Sequence, residues 1–207
     1  MNEREKEWRE KHQAFELKFH QGDNYRWHDK LFVPPWEQNF GNFLGLAPDQ
    51  FGPDEKILDI GCGSRSAFAA YFTSGEIWNL DPLAAQYLSI PEVAKHWTPD
   101  LRERLIAAPA EQLQPELVGE CSFVNCWNCL DHSYNWREII ENIIVYASPG
   151  AVIALCTDTK EHGAGHPGID SVSDLLRYFF EYMEIEKLEI NYGKTVIRDL
   201  AIKAIKR

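Results

Sequence analysis

The stretch "KILDIGCGSRSAFAAYF", Lys56 to Phe72, decides the fold. An apolar run closes at Asp59-Ile60, glycines follow at Gly61 and Gly63, and a small, apolar segment continues as if turning into a helix. A strand that turns sharply into a helix needs glycine there, because the backbone must bend tightly and let a ligand come close. A dinucleotide fingerprint would ask for a third glycine at position 66, for close helix–strand packing, and this chain has Ser66. No Lys-Ser/Thr pair follows, so the phosphate-cradling loop of NTPases is absent as well.

Working outward, "KILDIG", "EIWNLD", "RLIAAP", "CSFVNCWN" and "AVIALCTDT" read as five strands, most of them followed by a helical segment. That alternation predicts a parallel sheet covered on both faces. Residues 136–147 set Trp136, Ile139, Ile140, Ile143, Ile144 and Ala147 on one stripe, Asn135 with Glu138 resembles a capping box, and "SPG" ends the run. Residues 172–183 repeat the pattern with Val172, Leu175, Leu176, Phe179, Phe180 and Met183. "KLEINY" and "TVIRDLAIKAIK" flank Gly193-Lys194 and read as a hairpin. Residues 2–20 predict an amphipathic helix with Trp8, His12, Phe15 and Phe19 on one face, and a short helix is expected through Trp36–Leu44. The expected fold is α/β: a Rossmann-like, doubly wound seven-stranded sheet, mostly parallel, with an antiparallel C-terminal hairpin and an N-terminal helical and aromatic cap. Residues 1–54 form the cap and 55–207 the main domain, within one globular unit.

Bulk composition narrows the function. With 207 residues, 44% hydrophobic and 26% charged, the chain reads as one ordinary globule. It holds no apolar run of about 20 residues, so no membrane span is expected. "MNEREKEWREKHQ" is too charged for the apolar core of a signal peptide, and the expectation is a cytoplasmic protein. A net charge of −11 repels long polyanions and argues against a nucleic-acid partner. The five cysteines are read as free thiols.

Asp59 stands two residues before the first glycine. A carboxylate there repels phosphate and suits a cationic or zwitterionic ligand. At the end of the second strand "NLDP" supplies Asp81, at the distance where a carboxylate typically takes ribose hydroxyls. A nucleoside without phosphates and with a positive charge is S-adenosylmethionine (SAM).

The motifs "ILDIGCGS", "LDPLAAQY", "APAEQL", "NCLDH" and "SPGAVIAL" resemble, in order and spacing, those of class I SAM-dependent methyltransferases over roughly residues 55–160. They are most similar to small bacterial and phage-type members of the type 11-like group, which carry "DIGCGP", "LDPLAxxY", "AEALP" and "NxLDHVDDP". The resemblance implies that Asp59, Gly61, Cys62 and Gly63 frame the methionine end of SAM. It places Asp81 and Pro82 at the ribose, Ala110 and Glu111 beside the adenine, and Cys126, Trp127 and Asn128 along the floor. Ser64-Arg65 departs from the Pro and Gly of many relatives.

Methyl transfer from a sulfonium needs in-line placement of the acceptor within about 3–3.5 Å, in a dry pocket, and for some acceptors a base. His132, in "NCLDHSYNW", follows the fourth strand where such sites open and is the candidate base, or a cap of the next helix. Asp131 reads as a hydrogen-bonding loop residue. His162 and His166, in "TDTKEHGAGHPGID", lie in a loop placed for acceptor contacts. No metal site is expected from them, because helix and carboxylate partner are both lacking. In the aromatic leader, Tyr25, Arg26 and His28 are the polar-tipped candidates for substrate contact, and the other aromatics serve as a lid or as core. Cys126 and Cys129 make a C-x-x-C, but Cys126 belongs to the strand and the two thiols are expected to diverge.

The Asn/Asp-Pro-Pro-aromatic tetrad of nucleobase amino-methylating enzymes is absent, since "NCWN" has no proline, and so is a Pro-Cys nucleophile. The reading is transfer of a methyl group to an O or N atom of a small-molecule or glycan-type acceptor, giving S-adenosylhomocysteine (SAH). The alternative is a SAM-binding protein that does not methylate, either degrading SAM or serving as a regulatory subunit. A thiol–disulfide protein is a third class.

Overall fold

A computed structural model describes residues 3–21, 43–66, 68–159, 168–169, 171–190 and 200–207. Seven strands form one sheet: β1 (Lys56–Ile60), β2 (Glu76–Leu80), β3 (Leu105–Ile106), β4 (Cys121–Trp127), β5 (Ala147–Thr157), β6 (Met183–Ile190) and β7 (Leu200–Lys206). Their spatial order is β3-β2-β1-β4-β5-β7-β6. Strands β1 to β5 pair in parallel, and β7 lies antiparallel between β5 and β6. All seven expected strands are present. The chain builds outward from β1 to β3 and then returns to β4 beside β1, so the direction of winding reverses between β1 and β4. Ligands of open α/β sheets gather outside the carboxyl ends of the strands at that reversal.

The central strands are apolar on both faces because helices cover both. In β1, Ile57, Leu58 and Ile60 are fully buried. On one face Leu58, Ile60, Val124 and Cys126 pack with Trp136, Ile139, Ile140 and Ile143 of α1 (Trp136–Tyr146) and with Leu175 and Phe179 of α2 (Val172–Tyr182). On the other face Ile57, Phe123 and Ala154 meet Phe51, Phe68 and Phe72. The helical stripes read from sequence hold with three exceptions, the first being Ala147, which opens β5 rather than ending the helix. Phe180 is exposed, and Met183 is a buried strand residue, because β6 starts directly after α2. "SPG" lies inside β5, where Gly150 takes a left-handed φ of 82°.

The capping box at Asn135 is not formed, since its side chain makes no cap hydrogen bond. The Glu111 carboxylate takes that place from a distant loop. Its Oε1 accepts from the backbone N of Tyr134 (2.9 Å) and of Asn135 (3.1 Å), just ahead of the helix. A carboxylate at a helix N-terminus meets unsatisfied N–H donors and the positive end of the dipole.

The N-terminal helix is present from Glu3 to Gln21, but Trp8–His12 is a π-helical turn. Widening by one residue rotates the stripe that follows it. Trp8 stays buried, whereas Phe15 and Phe19 face outward and Leu17 packs inward against the cluster of Cys62, Leu83, Tyr87, Val93 and Trp97. The predicted face is therefore corrected beyond His12. The expected helix through Trp36–Leu44 falls outside the described residues except at its last two positions.

Candidate cofactor cleft and its N-terminal cap

Gly61 and Gly63 both adopt left-handed backbone, φ 69° and 63°, which a side chain resists. The Gly61 N–H donates to the Leu80 carbonyl at 2.7 Å, so the turn after β1 is tied to the end of β2. A Cβ on Gly61 would fall on the Cβ of Cys129, whereas one on Gly63 would meet nothing within 4 Å. Gly61 is thus needed for packing and Gly63 leaves open space above the turn.

Asp81 closes the same turn from β2. Its Oδ2 accepts from Gly63 N at 2.9 Å and its Oδ1 from Leu83 N at 2.8 Å. Burial pushes this carboxyl up to about 6, against the pull of those two backbone donors. Asp59 is buried one strand away. Its Oδ1 accepts from Asn125 Nδ2 (2.8 Å) and its Oδ2 from Ser66 Oγ (3.1 Å), and burial raises it to about 7. Among the described residues no lysine or arginine is ion-paired with either acid. Two buried carboxyls without a lysine or arginine partner suit a cation above the turn, which is the charge a sulfonium brings.

Sequence reasoning missed the row beneath. Asn79, Asp59 and Asn125 are register partners on β2, β1 and β4, so their side chains share one face. Both polar atoms of the Asn79 amide and the Oδ1 of Asn125 are buried without a hydrogen-bond partner. The polar positions within "EIWNLD" and "CSFVNCWN" were the available signal.

At the end of β4 the backbone turns through Asn128, the one non-glycine residue with positive φ among those described, at 55°. Its N–H donates to Cys156 O at 2.6 Å and its Oδ1 is buried and unpartnered. Cys126 faces one layer and Trp127 the other. The two thiols do not diverge. Cys126 Sγ and Cys129 Sγ lie 2.8 Å apart, because the left-handed residue between them folds the chain back. Both are free cysteines. Pro82 is partly exposed beside Asp81, and Ala110 is buried with its carbonyl accepting from Asn142 Nδ2 at 2.8 Å.

His132 ends a short 3₁₀ turn (Leu130–His132) at the same rim. Its Nδ1 is 3.0 Å from Glu16 Oε1 on the N-terminal helix, and its Nε2 is 3.5 Å from Asp131 Oδ2. Trp8 Nε1 donates to the His132 carbonyl at 2.6 Å, and the Trp8 ring meets Tyr134 edge-on at 5.0 Å. The N-terminal helix is therefore pinned over the rim at His132. The Glu16 charge raises the Asp81 carboxyl and the His132 charge lowers it. Asp131 is wholly buried and accepts from Thr157 Oγ1 at 3.0 Å, a loop-holding role. Tyr25, Arg26, His28, His162 and His166 lie outside the described residues. Among the described residues no group of three or more His, Cys, Asp or Glu could hold a metal, and no helix is long and apolar enough to cross a membrane.

The methyltransferase domain family matches residues 7–189, and the chain belongs to that family. A comparison with curated proteins found no match. Solved structures share the fold. The 1,6-didemethyltoxoflavin-N1-methyltransferase of Burkholderia thailandensis, with bound 1,6-didemethyltoxoflavin and SAH, superimposes with a TM-score of 0.63 at 15% identity, over 94% of this chain and 86% of that one. The N-methyltransferase NodS of Bradyrhizobium japonicum, in complex with SAH, gives 0.63 at 14% identity, over 94% and 97% of the two chains. Geranyl diphosphate C-methyltransferase of Streptomyces coelicolor gives 0.60 at 12% identity, over 83% and 76%. The fold is that of class I SAM-dependent methyltransferases, from the glycine turn to the inserted last strand.

Proposed function

We propose that the chain binds SAM in the cleft outside the carboxyl ends of β1, β2 and β4 and transfers its methyl group to an O or N atom of a small-molecule or glycan-type acceptor. The observation that carries this reading is the Asp81 carboxylate, held at the end of β2 by Gly63 and Leu83 above an open glycine turn. In this reading Asp81 and Pro82 meet the ribose, and Asp59, Gly61, Cys62 and Gly63 surround the methionine end. Ala110 and Glu111 flank the adenine, with Cys126, Trp127 and Asn128 as the floor. SAM supplies an electrophilic methyl group on a positively charged sulfur.

The protein's own work is placement and exclusion of water. Bound SAM would supply the methyl group to a lone pair of the acceptor, with the neutral thioether SAH as the leaving product. His132 takes the acceptor's proton. Glu16 beside Nδ1 and Asp131 beside Nε2 flank the imidazolium this creates. Trp8 and Glu16 hold the N-terminal helix across the rim, and Tyr25, Arg26, His28, His162 and His166 are the candidates for acceptor contact in this reading.

Transfer of labelled methyl from SAM to a panel of amine and hydroxyl acceptors tests the reading. Label in an acceptor, with SAH formed in equal amount, supports it. SAM consumed without acceptor, or SAM bound and never consumed, supports the non-methylating alternative.

A further inference from the structure

We propose that Cys126 and Cys129 are a site of reversible intramolecular disulfide formation, and that closing the bridge displaces the backbone against Gly61. The effect on the cofactor rests on the function proposed above; the bridge itself does not.

The two sulfurs stand 2.8 Å apart. A disulfide bond is about 2.04 Å long, so closure needs an approach of about 0.8 Å. Cys126 cannot supply it. It sits inside β4, paired with Ile60 of β1 and Leu155 of β5, and is fully buried. Cys129 can. It is partly exposed, opens the 3₁₀ turn, and is reached through Asn128 in left-handed backbone. The shift therefore falls on residues 128–130, and the Cβ of Cys129 already occupies the space a Gly61 side chain would fill. Of the other thiols, Cys62 donates to the Gly63 carbonyl and Cys121 to that of Leu117.

Hydrogen peroxide is the oxidant class proposed for the step. The Cys129 sulfur attacks one peroxide oxygen; an S–O bond forms, the O–O bond breaks, and water leaves with the thiol proton. The Cys126 sulfur then attacks Cys129; the S–S bond forms, the S–O bond breaks, and a second water leaves. Two thiols are oxidised and one peroxide is reduced. A dithiol reductant reverses the change by exchange. The hydrogen bond with Cys126 and burial hold the Cys129 thiol well above its ordinary range, so little thiolate is present and oxidation is slow.

The test treats the reduced full chain with hydrogen peroxide, alkylates it under denaturing conditions and weighs it. The prediction is loss of two of the five reactive thiols, a mass lower by two hydrogens before alkylation, and recovery with dithiothreitol. Fragmentation between Cys121 and Arg137 places the bridge at Cys126–Cys129. Five thiols retained, a bridge elsewhere, or Cys129 oxidised to a sulfinic acid without a bridge overturns the site. Closure is read separately from amide exchange at Gly61–Gly63 and from SAH affinity, expected to weaken at least about tenfold in the bridged form. A bridge that leaves exchange unchanged overturns the displacement. Reduced protein that does not bind SAH sinks the cofactor reading instead, and mass and exchange still decide the bridge. Cys129→Ser is expected to lose no thiols to a bridge under the same treatment.

Discussion

The backbone N–H of Gly63 donates to Asp81 Oδ2 across eighteen residues of sequence, at 2.9 Å. That bond joins the turn after β1 to the end of β2. It holds a glycine without steric neighbours beneath a carboxylate whose other oxygen is held by Leu83. Replacing Asp81 by Ala is expected to weaken SAH binding at least about tenfold. Stability should change by no more than on the order of 2 kcal/mol, because two lost hydrogen bonds are offset by removal of a buried carboxyl. Calorimetry and urea unfolding on one preparation check both halves.

The two glycines should separate by consequence. Gly61→Ala adds left-handed strain of about 1–2 kcal/mol to overpacking of about 1–3 kcal/mol against Cys129. Gly63→Ala carries the strain alone, since its Cβ meets nothing. The expected pattern is a larger loss of stability in Gly61→Ala, and in Gly63→Ala a mild loss with SAH binding strongly weakened by the methyl in the ligand's path. Equal melting shifts would contradict the assignment.

Two buried acids give the unliganded chain a direction with pH. Asp59 is raised to about 7 and Asp81 to about 6, both by burial, above their unfolded values. The folded form therefore binds their protons more readily, and this contribution to stability is lost as pH rises from about 4 through about 7. Urea unfolding at about pH 5.5 and about pH 8 should show a fall that Asp59→Asn reduces. Binding runs the other way. The cationic sulfonium favours ionised carboxyls, so the affinity of SAM relative to SAH should increase over the same interval.

The pair formed by Glu16 and His132 predicts a split between binding and turnover. His132→Ala should abolish most methyl transfer while leaving SAH affinity within about threefold. Glu16→Gln should keep the fold and lower turnover several-fold, with SAH affinity within about threefold of wild type. Parallel losses of binding and turnover in His132→Ala would mark the residue as structural.

Much of this was legible in the sequence where one physical rule acted alone. Each apolar run flanked by a turn became a strand, and the glycine turn with Asp59 and Asp81 stood at the winding reversal. Where two elements compete, sequence was silent. The π-turn at Trp8–His12 moved Leu17 inward and Phe15 outward, a choice made by contact with Leu83 and Tyr87. Asn135 carried the right spacing for a capping box, but Glu111 took its role through a tertiary contact. Glu16 was one acid among many until the fold set it 3.0 Å from His132. The thiol pair was misread because a strand position suggested divergence, and the left-handed Asn128 reversed it.

The most direct test of the central claim is calorimetric titration of the chain with SAH and, separately, with NAD, on wild type and on Asp81→Ala. Micromolar SAH binding by the wild type, lost in the variant, with no binding of NAD, is the predicted result. Absence of SAH binding by the wild type, or affinity unchanged in Asp81→Ala, would contradict the placement of SAM on this turn.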